Sequence, residues 1–151
     1  MSRFVPLLLV FLAACAVIPS AATEPPASDE TVDVTNEALA APPPPEAARL
    51  VEEFDTTTDE QRAVAAASTT GGTFLGTTVA SLGDPARPGF WIETSLASAA
   101  GAGRLVYPAN GKSVEVEILP IESGSSRVSL AAFRVLEAPL TELPTLEVYA
   151  E

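Results

Sequence analysis

The stretch that most constrains the fold is Asn110-Gly111, set between RLVY (104–107) and SVEVEIL (113–119). Both turn residues tolerate positive φ, so an Asn-Gly pair between two apolar runs predicts a β-hairpin. In the second run Val114, Val116 and Ile118 fall on one face and Glu115 and Glu117 on the other, the period of a half-buried strand. Further strand patterns occupy Thr73–Leu82, Phe90–Leu96 and Thr145–Ala150, with the two-proline loop GDPARPG at 83–89. After the loop ESGSSR, Ser129 is placed to cap a short helix running to Leu136 and stopped before Pro139. The expected class is mainly β: a small barrel with one short helix over residues 71–151. A domain of this size buries only about 60% of its unfolded surface, and closing the sheet would remove its exposed edges.

Composition narrows the chemistry. The 151 residues contain 8 Lys+Arg, 20 Asp+Glu and no histidine, for a net charge of −12. Such a field repels nucleic acid, and the scattered cations form no basic patch. Without histidine the chain lacks the side chain best suited to proton transfer near neutral pH and the commonest zinc ligand. One cysteine allows neither an internal disulfide nor a thiolate cluster. No cofactor is expected.

The lone cysteine is explained by what precedes it. Residues 1–14, MSRFVPLLLVFLAA, carry a cation at Arg3 and an apolar run from Phe4 to Ala14. That run is shorter than the ~20 residues needed to span a bilayer and has the form of a secretion signal. Its end, Leu12-Ala13-Ala14-Cys15, resembles the lipobox of bacterial lipoproteins. The resemblance implies cleavage before Cys15 and acylation of its sulfur and amine with palmitate-type chains. At about 0.8 kcal/mol per buried methylene, two or more chains anchor a protein stably. The membrane is therefore an expected partner through Cys15. Ala16 stands where aspartate would signal inner-membrane retention, so an outer-membrane position facing the periplasm is favoured.

Residues 15–70 are expected to form the lipidated cysteine and an acidic, proline-rich tether. Pro19, Pro25, Pro26 and Pro42–Pro45 lie among acidic residues from Glu24 to Glu60, against only Arg49 and Arg62. High charge and few large apolar groups do not offset the entropy of ordering. A flexible chain of this length spans roughly 40 Å. Two islands have helical patterns: EAARLVEEF at 46–54, with Leu50, Val51 and Phe54 on one face, and a capping box from Thr58 to Gln61 opening RAVAAA. Both are short enough to be marginal alone and are expected to fray in solvent rather than dock.

From Phe90 to Tyr149 the order of WIETSL, RLVYPANGKSVEVEIL, SRVSLAAFRVL and a final LEVY resembles the double-psi β-barrel of rare lipoprotein A-like proteins. The resemblance implies that fold and a cell-wall setting. Enzymatic members carry a histidine and an aspartate where this chain has Glu93 and Pro120, so the family's catalysis is not expected here. The layout FDTTT, LGTTVASLGDP, GFW also resembles short lipoproteins labelled D-galactarate dehydratase. The metal-ligand constellation such an activity needs is not visible in this chain.

Few side chains suggest chemistry. Trp91 and Glu93 share one strand face and form the candidate ligand site, an indole beside a carboxylate suited to a sugar ring. The competing expectation, favoured on balance, is that the Gly71–Leu82 segment covers Trp91. Glu93 is also the one residue able to donate a proton to a glycosidic oxygen. Glu115 and Glu117 read as a solvated strand face, and Lys112-Ser113 as hairpin neighbours pointing apart rather than a dyad. Gly101-Ala102-Gly103, ahead of Arg104, has the small residues of an anion cradle but reads better as a flexible turn. Asp55, Asp59 and Glu60 lack calcium-loop spacing. The expected function is a non-catalytic barrel, lipid-anchored in the envelope, that binds peptidoglycan or an envelope protein. The alternatives are a divergent wall-acting hydrolase or lyase using Glu93, and a structural accessory subunit docking through its helical islands.

Overall fold

A computed structural model describes residues 39–67 and 70–151. The expected leader at 1–14, Cys15 and tether residues 16–38 lie outside the described residues.

Six strands close into a barrel: β1 Thr73–Leu82, β2 Trp91–Thr94, β3 Gly101–Tyr107, β4 Lys112–Pro120, β5 Ser126–Val128 and β6 Thr145–Ala150. Their order around the barrel is β1-β5-β2-β4-β3-β6. β1 pairs in parallel with β5 and β2 with β4, while the remaining ladders are antiparallel. Alternation sets the interior: Leu105, Val114, Val116, Val128, Leu146 and Val148 are fully buried, and Glu115, Glu117 and Glu147 are half-exposed between them. The expected class, a small mainly-β barrel with little helix, is what the chain forms. Among the described residues no helix is long and apolar enough to cross a membrane.

The hairpin forms at Asn110-Gly111, with Tyr107 opposite Lys112. Only Gly111 takes positive φ, at 72°. Asn110 acts through its side chain: its amide donates to Leu136 O at 2.8 Å, and its Oδ1 accepts from Lys112 N at 3.0 Å. The turn is thereby tied to the end of the short helix α3, Leu130–Val135. α3 is capped by Ser129 as expected, and it stops as Glu137 turns to φ 49°. Ala138 N–H then donates to Phe133 O and Glu137 N–H to Arg134 O, the paired bonds of a Schellman ending.

Three local expectations need correction. Ser126 and Arg127, expected in the loop ESGSSR, belong to strand β5. With three residues it shows no periodicity, yet Ser126 and Val128 are buried and Arg127 points outward. Gly101–Gly103 is the start of β3, not a turn. A Cβ on Gly103 would lie 2.2 Å from Ile118 Cδ1 and 2.5 Å from Tyr149 O, so the glycine is there to let strands approach closely.

The third correction concerns the helical islands, which pack on the barrel instead of fraying. They form α1, Val51–Phe54, and α2, Asp59–Ala67, the latter opened by the expected Thr58–Gln61 capping box. The first island is thus shorter than expected, and Leu50 and Val51 are exposed. What holds the segment is not a continuous apolar face. Leu39, Ala48 and Ala65 are buried, and Leu39 O accepts from Phe90 N at 2.9 Å. Asp55, whose side chain is wholly buried, pairs with Arg62 at 3.3 Å and with Arg134 of α3 at 3.2 Å. Tertiary contacts supply what helices this short lack on their own.

Candidate ligand-binding cleft

The parallel β2/β4 pair brings the resemblance-derived positions to one end of the barrel, with Glu93 opposite Leu119 and Thr94 opposite Pro120. Glu93 is not a free acid there. Its Oε1 accepts from Arg87 Nη1 at 3.0 Å and its Oε2 meets Arg127 Nε at 2.9 Å, so both oxygens are engaged by cations. The clamped carboxylate ties the loop at 83–89 to strand β5.

Trp91, expected on the same face, is only 3% exposed. Its Nε1 donates to Arg87 O at 3.2 Å, and the Arg87 guanidinium lies over the ring at 4.6 Å from its centre. Gly83 covers the far edge: a Cβ there would lie 2.3 Å from Cη2. The cover therefore comes from Gly83 and Arg87, just beyond the Gly71–Leu82 segment. As placed, the indole is a packing anchor with Arg87 on its face. Beside it a recess of about 270 Å³ runs between Leu39, Pro88, Trp91 and Glu117.

Other candidates disperse. The Lys112 ammonium goes to Glu137, away from a dyad with buried Ser113. Glu115 and Glu117 occupy successive half-buried positions on one face of β4, opposite Arg104 and Ala102 of β3. Among the described residues no cluster of three acidic, Cys or His side chains is arranged to hold a metal.

A different arrangement lies around Arg104. This arginine is 5% exposed and sits in β3 between buried Gly103 and Leu105, opposite Tyr149 of β6. Its guanidinium stacks on the Tyr149 ring at 4.3 Å from the centre, and its Nη2 donates to Gly71 O at 2.8 Å. The ion pairs of the described residues include Arg62, Arg87, Lys112, Arg127 and Arg134, but not Arg104. Among those residues, Arg104 Nε is the buried side-chain nitrogen left without a hydrogen-bond partner. Burying a guanidinium with an unmet donor is costly. It lines an open cleft of about 460 Å³ shared with Gly71, Gly72, Ser113, Glu147 and Tyr149. Tyr149 Oη donates to Glu147 Oε2 at 2.9 Å, and that bond, followed by partial burial, raises the tyrosine pKa above its usual value. Phe74 packs on Tyr149 with ring centres 5.3 Å apart and is 53% exposed, extending an apolar surface from the rim.

The sequence pattern does not mark Tyr149, and it offers Arg104 only as the neighbour of Gly101–Gly103. The available signal was an arginine inside an otherwise apolar strand. Its meaning depends on the β3/β6 register, which no local pattern reveals.

Fold and site together define a closed six-stranded β-barrel with one polar cleft built on a buried arginine. No family model matches the chain, and no match is found among the curated proteins or the solved structures.

Proposed function

We propose that this is a lipid-anchored protein of the bacterial envelope, held through acylated Cys15, whose barrel binds cell wall or an envelope partner rather than cutting it. The anchor is supported by the Leu12-Ala13-Ala14-Cys15 motif at the end of an apolar leader. One observation carries the preference for binding over cleavage: the Glu93 carboxylate is clamped on both oxygens, by Arg87 and Arg127. A general acid must reach the glycosidic oxygen with a free carboxyl oxygen, and both Glu93 oxygens are taken by guanidinium groups. The double-psi assignment and the periplasmic outer-membrane position belong to the same reading.

Purified full-length protein is tested in two ways. It should pellet with isolated sacculi, or with an envelope protein captured on them, and leave no clearing on a cell-wall zymogram. Clearing that Glu93→Gln abolishes would establish the lytic alternative and overturn the proposal.

A further inference from the structure

We propose that the Arg104 cleft is a receptor for a single carboxylate group, carried on a small acid or at the terminus of a short peptide. The inference deepens the reading of the barrel as a binding module and rests on it only for the setting.

The guanidinium is held ready by two contacts, the Tyr149 ring and Gly71 O, and makes one side-chain hydrogen bond with Nη2. Arginine has five N–H donors in a planar fork that matches a carboxylate. Of these, the buried Nε finds no acceptor among the described residues, although Arg104 lines a cleft of ligand size. A bound carboxylate would give the guanidinium fork an acceptor and a direct ion-pair partner.

The cleft also indicates which anion. Glu147 lies on its wall, kept in place by the Tyr149 hydroxyl. Among the described residues, Arg104 is the only cation lining it. One positive and one negative side chain disfavour a dianion such as phosphate and tolerate a monoanion. The exposed Phe74 ring, tilted at 53° against Tyr149 beside the cleft, offers an apolar surface for the group bearing the carboxylate. Gly71 and Gly72, with φ of 115° and 80°, keep the rim free of side chains.

The test is a titration of the full chain in detergent, following the Arg104 Nε–H signal in proton–nitrogen correlation spectra. The probes are sodium acetate, N-acetyl-alanyl-alanine, its C-terminal amide and inorganic phosphate. The free dipeptide should shift the Arg104 signal saturably. The amide should bind at least about tenfold more weakly, the loss expected when a charge-assisted hydrogen bond is removed. Dipeptide binding tighter than acetate identifies a peptide terminus, and equal binding a small acid; either supports a carboxylate site. Arg104→Lys, which keeps the charge but not the fork, should weaken the dipeptide by a similar factor, and Glu147→Gln should tighten it several-fold. An unmoved Arg104 signal, equal response to acid and amide, or tighter binding of phosphate would overturn the proposal. Failure to pellet with sacculi while the carboxylate response persists would refute the envelope reading and leave this site standing. The opposite result would refute the site alone.

Discussion

Ser129 and Trp91 are joined at two points: Trp91 N–H donates to Ser129 Oγ at 3.2 Å, and Ser129 N–H donates to Trp91 O at 3.0 Å. The same hydroxyl oxygen accepts from Ala132 N at 3.3 Å and so caps α3. One side chain thus fixes the start of a helix and the start of a barrel strand. Ser129→Ala leaves two buried N–H groups short of an acceptor. It should cost about 2 kcal/mol, the sum of a lost cap and an unmet donor, read as a lower denaturant midpoint at unchanged slope. A loss under about 0.5 kcal/mol would contradict this double role.

Two glycines of one strand should behave oppositely. At Gly103 an added methyl meets Ile118 and the Tyr149 carbonyl, whereas at Gly101 it meets nothing within 4 Å. Gly103→Ala should destabilise by about 2–3 kcal/mol through overpacking against backbone that cannot yield. Gly101→Ala should be neutral within about 0.5 kcal/mol. Thermal or urea unfolding of the pair checks both.

Asp55 is the link between the 39–67 segment and α3. Its carboxylate pairs with Arg62 and Arg134 and accepts from Thr57. Asp55→Ala leaves two arginines facing each other. Both are about one-third exposed, so solvent moderates the cost to roughly 1–3 kcal/mol, below that of a fully buried pair. The loss should be local: amide protection falls across α2 and stays high in β3, β4 and β6 by hydrogen exchange. Equal loss throughout would mean that the segment and the barrel unfold as one unit.

The start of α1 should be acid-sensitive. Glu53 accepts from Arg49 N at 2.6 Å and Leu50 N at 2.9 Å, and these bonds hold its carboxyl below the usual 4.5. A lowered folded-state pKa gives stabilisation that is complete above the unfolded value and fades as pH falls through the folded one. The Leu50 amide signal should therefore move toward its unbonded position below about pH 4.5, and Glu53→Gln should flatten that pH dependence. A flat profile in the parent protein would contradict the cap.

Periodicity accounts for what was readable beforehand. β6 has the expected bounds because six residues of alternation leave little choice of register; β1 has them through its run of Thr and apolar residues, although its register shifts between Phe74 and Gly76. Ser129 was legible because capping chemistry is local. β5 was not, since three residues carry no period. The docking of 39–67 depends on Asp55 reaching Arg134 across 79 positions, a contact that local composition cannot encode. Strand alternation puts Trp91 and Glu93 on one face, but their partners Arg87 and Arg127 come from a loop and from β5, which no local pattern marks. The Arg104 cleft needs four separate segments, around Gly71, Arg104, Ser113 and Tyr149, to be brought together.

The account stands most directly on Cys15. Cells expressing the full chain are grown with labelled palmitate, and the parent is compared with Cys15→Ser for label, apparent mass and membrane fractionation. The account predicts a labelled, processed parent in the membrane fraction and an unlabelled, unprocessed variant. A parent without label, or a variant identical to it in processing and fractionation, would contradict it.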